Sequence, residues 1–299
     1  MYILKPIDYT FAQVTANTAL PESDFPAWAA ATSYTVGTKV IRATTHRIYQ
    51  NLIAGVDATL PENAPSRWLD VGPTNAYAFM DGYSSTITSK LYNVSFTIAP
   101  GQRISSIALI NVVGETVFIT ATNNGAEQIY NKTITMDATQ VATVYDWFFE
   151  EFEQKPDHVE VDFPEAYNNP VITVTIAGSS TVSIGRLALT KAYEIGEVEY
   201  GAGINIKDYS VTTTDVNNVK TLTKKPNSKL MNFRVVLNQS ETNRVNKLLR
   251  TLSSVPCIFI GVNAEDYEYT IAHGFYQDFK IILPLPKINY CDLVIEEII

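Results

Sequence analysis

The stretch KLYNVSFTIAPGQRISSIALINVVGETVFITATNNG, residues 90–125, decides the fold class. Tyr92, Val94, Phe96 and Ile98 alternate with Asn93, Ser95 and Thr97, the period of two expected of a strand with one buried face. Residues 107–113 form an apolar run, broken only at Asn111 and closed by Gly114-Glu115, compatible with a central strand. Residues 116–122 alternate again and stop at Asn123-Asn124-Gly125, where residues tolerant of positive φ signal a hairpin.

Outward from this stretch the same text recurs. Val159, Val161 and Phe163, then Ile172, Val174 and Ile176, then Val182, Ile184, Leu187 and Leu189 supply further short strands, and many such strands at near-regular spacing argue for a two-sheet sandwich. Upstream, residues 7–14 read as a strand of the same sandwich, cut off from it by the ANTALPESDFP connection with Pro21 and Pro26. The runs IALI near residue 107 and IGRLAL near residue 184 resemble galactose-binding-like jelly rolls. The expected fold is therefore mainly β, a jelly-roll-like β-sandwich with a small inserted β-module and a C-terminal α+β domain. Its parts are residues 1–26 (first strand and connection), 27–75 (the insertion), 76–200 (the sandwich) and 201–299 (the C-terminal domain).

Past Gly196, Gly201 and Gly203 the composition changes. Phe233, Val235 and Leu237 mark an imperfect strand. A helix follows, with Asn238 as cap, Glu241 three residues on, and Val245, Leu248, Leu249 and Leu252 on one face before Ser253-Ser254 and Pro256 end it. Three further strands, near residues 257–262, 267–282 and 288–298, give one helix on an antiparallel sheet.

Composition excludes several functions. The 299 residues carry a formal net charge of -9 and 46% hydrophobic side chains, so phosphate-rich nucleic acid and anionic membranes are poor partners. The opening MYILKPIDYTF lacks a basic flank and a long apolar core, and no apolar run approaches the ~18 residues of a membrane span. Cys257 and Cys291 sit in apolar strand text and read as buried thiols, with a disulfide between neighbouring strands as the alternative.

No catalytic constellation emerges, and no cofactor is expected. His46, His158 and His273 lie in separate segments without metal-ligand spacing. There is no G-x-S-x-G elbow and no glycine-rich phosphate loop. Carboxylates cluster once, at Asp146, Glu150, Glu151, Glu153, Asp157, Glu160, Asp162 and Glu165. This tract reads as a solvated connection, with Asp157 and Asp162 as the candidates for calcium.

Within residues 28–72 the aromatics, Gly and Pro recur at the spacing of a very small β-module, with strand candidates at 38–42 and 47–52. Trp28, the Tyr34-x-x-Gly37-x-x-Val40 run, Tyr49, Pro61 and Trp68 resemble the family 5/12 carbohydrate-binding modules. That resemblance implies glycan binding through Trp28, Tyr34, Tyr49 and Trp68. A module this short must also use its aromatics as core, the leading reading for any single ring, with Tyr34 and Trp68 as the two expected to be partly exposed for stacking on sugar rings. Family members commonly carry an aromatic pair just after the equivalent of Tyr49, where this chain has Gln50-Asn51-Leu52. The sequel RWLDVGPTNAYAFMD, residues 67–81, resembles a junction of bacteriophage virion proteins that carry this module, and the closing GFYQDFKIILPLPKINYCDLVIEEI resembles the ends of phage tail proteins.

Together these resemblances imply a structural protein of the virion, in the tail tip, baseplate or fibre assembly, made in the host cytoplasm. They imply other phage tail proteins as partners, a homo-oligomer such as a trimer about the tail axis, and attachment to a host-surface glycan. The alternative is a carbohydrate-binding accessory protein of a polysaccharide-degrading system, which calls for a secretion leader or a linked catalytic domain.

Overall fold

The computed structural model describes residues 1–17, 20–139, 142–151, 153–164, 167–264, 267–284 and 286–298. The chain opens with β1 (Tyr2–Pro6) and β2 (Val14–Asn17), then enters the inserted module: β3 (Ser33–Tyr34), β4 (Lys39–Arg42), β5 (Arg47–Asn51), β6 (Gly55–Val56) and β7 (Trp68–Pro73). The body follows as β8 (Thr88–Ile98), β9 (Ser106–Val113), β10 (Thr116–Asn123), β11 (Glu127–Thr135), a short helix α1 (Val144–Phe149), β12 (His158–Glu160) and β13 (Pro170–Glu194). The C-terminal part comprises β14 (Glu197–Val198), β15 (Gly203–Asp208), β16 (Val211–Thr214), β17 (Lys220–Thr223), β18 (Asn227–Asn238), helix α2 (Gln239–Thr251), β19 (Cys257–Ile260), β20 (Ile271–Ile282) and β21 (Ile288–Glu297). The chain is mainly β, and its named strands all pair antiparallel.

The period-two text around residue 96 does what its pattern demands. Val94, Phe96 and Ile98 are fully buried, while Ser95 and Thr97 on the other face exchange hydroxyl bonds with Thr175 and Thr173 of β13 at 2.8 and 2.9 Å. Tyr92 departs from the pattern. It is 58% exposed with φ +69°, because the register of β8 on β13 slips there and the bulge turns the ring outward. At the β10–β11 hairpin, Asn124 and Gly125 both take positive φ, as their residue types permit.

β13 is the spine of the body. The sequence suggests two strands in this region, one around 172–176 and one around 182–189, but they form one strand of 25 residues. One of its edges pairs with β10 through residues 170–177 and then with β9 through 183–190. The other pairs with β8 through 172–184 and then with β1 through 190–194. Gly178 marks a close approach, not a turn: a Cβ there would lie 3.0 Å from the Val182 side chain.

The strand expected at residues 7–14 is not formed. Phe11–Gln13 make a single 3-10 turn in which the Gln13 side chain accepts from the Thr10 amide at 2.7 Å, and a ladder begins only at Val14. Ile7 and Tyr9 pack instead on the body core, with the Tyr9 hydroxyl donating to the Leu187 carbonyl. The chain before the module still joins the body, since β2 pairs with β8 and β1 with β13.

The sheet continues from the body into the C-terminal part. β1 also pairs with β19, and the order runs on through β20, β21 and β18, with β14 and β15 bonded to β18. Alternate residues Met231, Phe233, Val235 and Leu237 of β18 are buried under α2, which turns Val245, Leu249 and Leu252 onto them. Asn238 occupies the N-cap position, but its side chain makes no capping bond. Cys257 and Cys291 are free, buried, and separated by β20; burial pushes each thiol up to about 12, so both are inert space-fillers.

Candidate functional site

The module is a three-stranded sheet, β4-β5-β7, with a two-stranded ribbon, β3-β6, beside it. A unit this small has few ways to make a core, and it spends its aromatics on one. Tyr34, Val40, Tyr49 and Trp68 are buried together, with Trp68 only 2% exposed, and Trp28 is half-buried against them. The Tyr34 and Trp68 rings meet edge to face at 5.3 Å, and the Tyr34 hydroxyl accepts from the Ala29 amide.

This corrects the expectation that Tyr34 and Trp68 are partly exposed for sugar stacking. Tyr49 is equally enclosed. The one ring with free edge, Trp28, carries the Arg42 guanidinium 5.2 Å from its centroid, and Arg42 is pinned there by two bonds to Glu62 at 3.0 and 3.2 Å. The four residues do come together, but as a core. No aromatic ring of residues 27–75 is left exposed as a platform.

The departure at Gln50-Asn51-Leu52 has a structural reason. Asn51 is fully buried; its Nδ2 donates to the carbonyls of Tyr34 and Thr35 at 3.2 and 3.0 Å, and its Oδ1 accepts from Arg67 at 3.3 Å. This side chain knits β3 to β5 and the approach to β7, so an aromatic there would remove three hydrogen bonds, one of them to the buried Tyr34 carbonyl. The outer surface near it is aliphatic: Val36, Leu52, Ile53 and Val56 are 64, 42, 52 and 59% exposed on the paired segments 33–38 and 51–56.

The module is bolted to the body. Glu22 accepts from His46 at 2.8 Å and from Thr74 at 2.7 Å, and Asp24 accepts from the Asn75 amide. His46 lies 3.8 Å from the Tyr77 ring, and Phe11 sets its edge against both. Asn75 exchanges bonds with Ser89 of β8, and Phe79 enters the body core against Phe96 at 3.9 Å. The junction text 67–81 thus ties the module to the body through side-chain bonds and ring contacts.

The acidic tract splits into two environments. Its second half borders a cleft of about 650 Å³ between β11, the 153–157 segment and residues 268–269, and an adjoining one of about 370 Å³. Glu160 is 3% exposed and pairs with Lys132; His158 Nε2 stands 3.8 Å away, too far for a hydrogen bond. Burial alone would raise the Glu160 carboxyl, but His158 and Lys132 outweigh it and hold it at about 2. Lys155 pairs with Glu268, and Lys229 with Asp157 at 3.8 Å. Each of these acids is answered by a cation, which makes the cleft an ion-pair seam.

Asp157 also accepts from the Asn111 amide, and Asp162 is exposed. Among the described residues no group of three or more His, Cys, Asp or Glu gathers in a way that could hold a metal ion. Glu165 lies outside the described residues. His273 is buried beside Arg186, and burial with that guanidinium lowers its imidazole to about 3.

The first half of the tract holds what the sequence reading missed. Between its carboxylates, α1 exposes Val144, Tyr145, Trp147, Phe148 and Phe149 to between 68 and 77%. The available signal was composition: VYDWFF follows neither a period of two nor of 3.6, so no single face of it can be buried. A second projection is the β16–β17 hairpin. Among the described residues its strands pair only with each other, and all residues from 211 to 227 are exposed.

Among the described residues no helix is long and apolar enough to cross a membrane. Compared with known proteins, the chain matches no family model, and neither a curated protein nor a solved structure is found to be similar to it.

Proposed function

We propose that this chain is a structural subunit of a bacteriophage virion, built into the tail tip, baseplate or fibre assembly, and that its module contacts other virion proteins in place of a sugar. The observation that carries the reading is the placement of the exposed apolar side chains. Groups of them stand on the module's aliphatic end, on α1 and on the β16–β17 hairpin, alongside others spread over the body and the C-terminal part. Contiguous apolar surface of this kind is normally covered by a neighbouring protein. The tail as the setting rests on the resemblance of residues 67–81 and of the chain's end to tail proteins.

Negative-stain microscopy of purified particles with antibody to this chain tests the setting, and label at one end of the tail is the expected result. Virions without label would end the reading. Chitin pull-downs and glycan arrays with the full chain test the role of the module. Blank results are expected; saturable binding would return the module to sugar recognition.

A further inference from the structure

Among the described residues two elements pack against no other element, and their chemistry is complementary. The α1 segment, residues 142–151, holds Asp146, Glu150 and Glu151 and no Lys or Arg, a net charge of −3. Its Trp147 and Phe148, with Ala142, Thr143 and Val144, line a shallow depression of about 480 Å³. In this six-residue helix four aromatics are more than two-thirds exposed, and the contacts that hold it are local: a capping box, in which Thr143 accepts from the Asp146 amide and Asp146 from the Thr143 amide, and the Tyr145 ring against Phe149.

The hairpin is its converse. Residues 211–226 hold Lys220, Lys224 and Lys225 against Asp215, a net charge of +2, and Asp215 is spent inside the tip, accepting from the Asn217 and Val219 amides. The register Thr212↔Leu222 and Thr214↔Lys220 puts Leu222 and Lys220 on one face, and Val216 and Val219 at the tip are 99 and 57% exposed. An isolated two-stranded ribbon without a buried face is marginal in water, so this one needs a surface to lie on.

We infer that the β16–β17 hairpin of one copy of this chain docks on α1 of a second copy, with Leu222 and the valines against Trp147 and Phe148 and the lysines over Glu150 and Glu151. The two patches are different surfaces, so in a head-to-tail contact one copy keeps a free α1 and the other a free hairpin, which lets the assembly continue into a ring. A membrane is the poorer occupant for α1, because its acidic flank would be repelled by anionic lipid. The inference goes beyond the proposed function, since it holds whether or not the assembly is a tail.

The test is a charge exchange in the full chain, read by sedimentation velocity over a range of concentrations, with circular dichroism as a control on folding. Wild type is expected to associate beyond a dimer as concentration rises. K220E/K224E/K225E alone and E150K/E151K alone should each weaken association by roughly tenfold or more. An equimolar mixture of the two should recover it, because each reversed hairpin then meets a reversed α1. Wild type that stays monomeric, single variants that associate like wild type, or a mixture without recovery would overturn the inference. Loss of association in the α1 variant only, or binding of wild type to phosphatidylcholine vesicles that W147A/F148A abolishes, would also overturn it. None of these outcomes bears on whether antibody finds the chain on virions, so the two proposals fail separately.

Discussion

The inserted module and the α1 segment are both rich in aromatic residues, and the chain uses them in opposite ways. Trp68 is 2% exposed in the module, whereas Trp147 is 73% exposed on α1. The module has to enclose a core within a few dozen residues, and large flat rings are the most economical filling for one. The α1 segment leaves the edge of the body between β11 and β12 with no sheet face above it, so its rings stay in solvent. Ring count alone therefore does not locate a binding surface; the supply of other core-forming residues nearby decides which way the rings turn.

The largest expected effect in breaking this comparison comes from Trp68→Ala. Removing the centre of the module's core should cost about 3–5 kcal/mol. The cost is confined to the module, so hydrogen exchange should accelerate at residues 27–75 and stay slow in β8, β9 and β13. An effect spread evenly over the chain would mean that the module has no core of its own.

A second, intermediate effect comes from acid. Folded His273 stays neutral down to about pH 3, while an unfolded histidine protonates near 6.5, so the unfolded chain takes up the proton first. This contribution to stability is complete above pH 6.5 and is lost as pH falls toward 3, about 3 kcal/mol of it by pH 4. Glu160, held near 2 against an ordinary 4.5, adds a loss in the same direction below about pH 4.5. His273 lies on β20 beside Arg186 of β13 and Glu160 lies on β12, so urea melts that follow the large sheet should show this slope. In His273→Gln the slope between pH 6.5 and 4 should flatten; an unchanged slope would place the titration elsewhere.

The smallest effect is Trp147→Ala, expected to leave the stability of the dilute chain within about 0.5 kcal/mol. A loss of several kcal/mol would mean that α1 is packed after all.

Much of the fold was legible because its signals are local. The alternation at Val94, Phe96 and Ile98, the Asn124-Gly125 hairpin and the Val245, Leu249, Leu252 face of α2 each follow from a few neighbouring residues. What escaped depends on distant partners. Residues 170–194 form one strand because β10 and β9 line up end to end along its edge, and nothing near Gly178 announces that. Tyr92 turns outward because of a register slip against β13.

The candidate site was legible as a cluster and not as a surface. The spacing of Trp28, Tyr34, Tyr49 and Trp68 brings them together, but whether such rings form a platform or a core depends on what covers them, here Arg42 and the Asn51 network. On α1 the carboxylates drew attention away from Trp147, Phe148 and Phe149 between them.

The three tryptophans, Trp28, Trp68 and Trp147, allow one direct measurement of the central claim. Acrylamide quenching should be compared between wild type and Trp147→Phe at concentrations where the chain is monomeric. The account predicts that the quenchable, red-shifted emission of wild type disappears in the variant, leaving blue-shifted and weakly quenched fluorescence from the module. A variant that quenches as readily as wild type would show that the module's tryptophans face solvent, and the sugar platform would have to be restored.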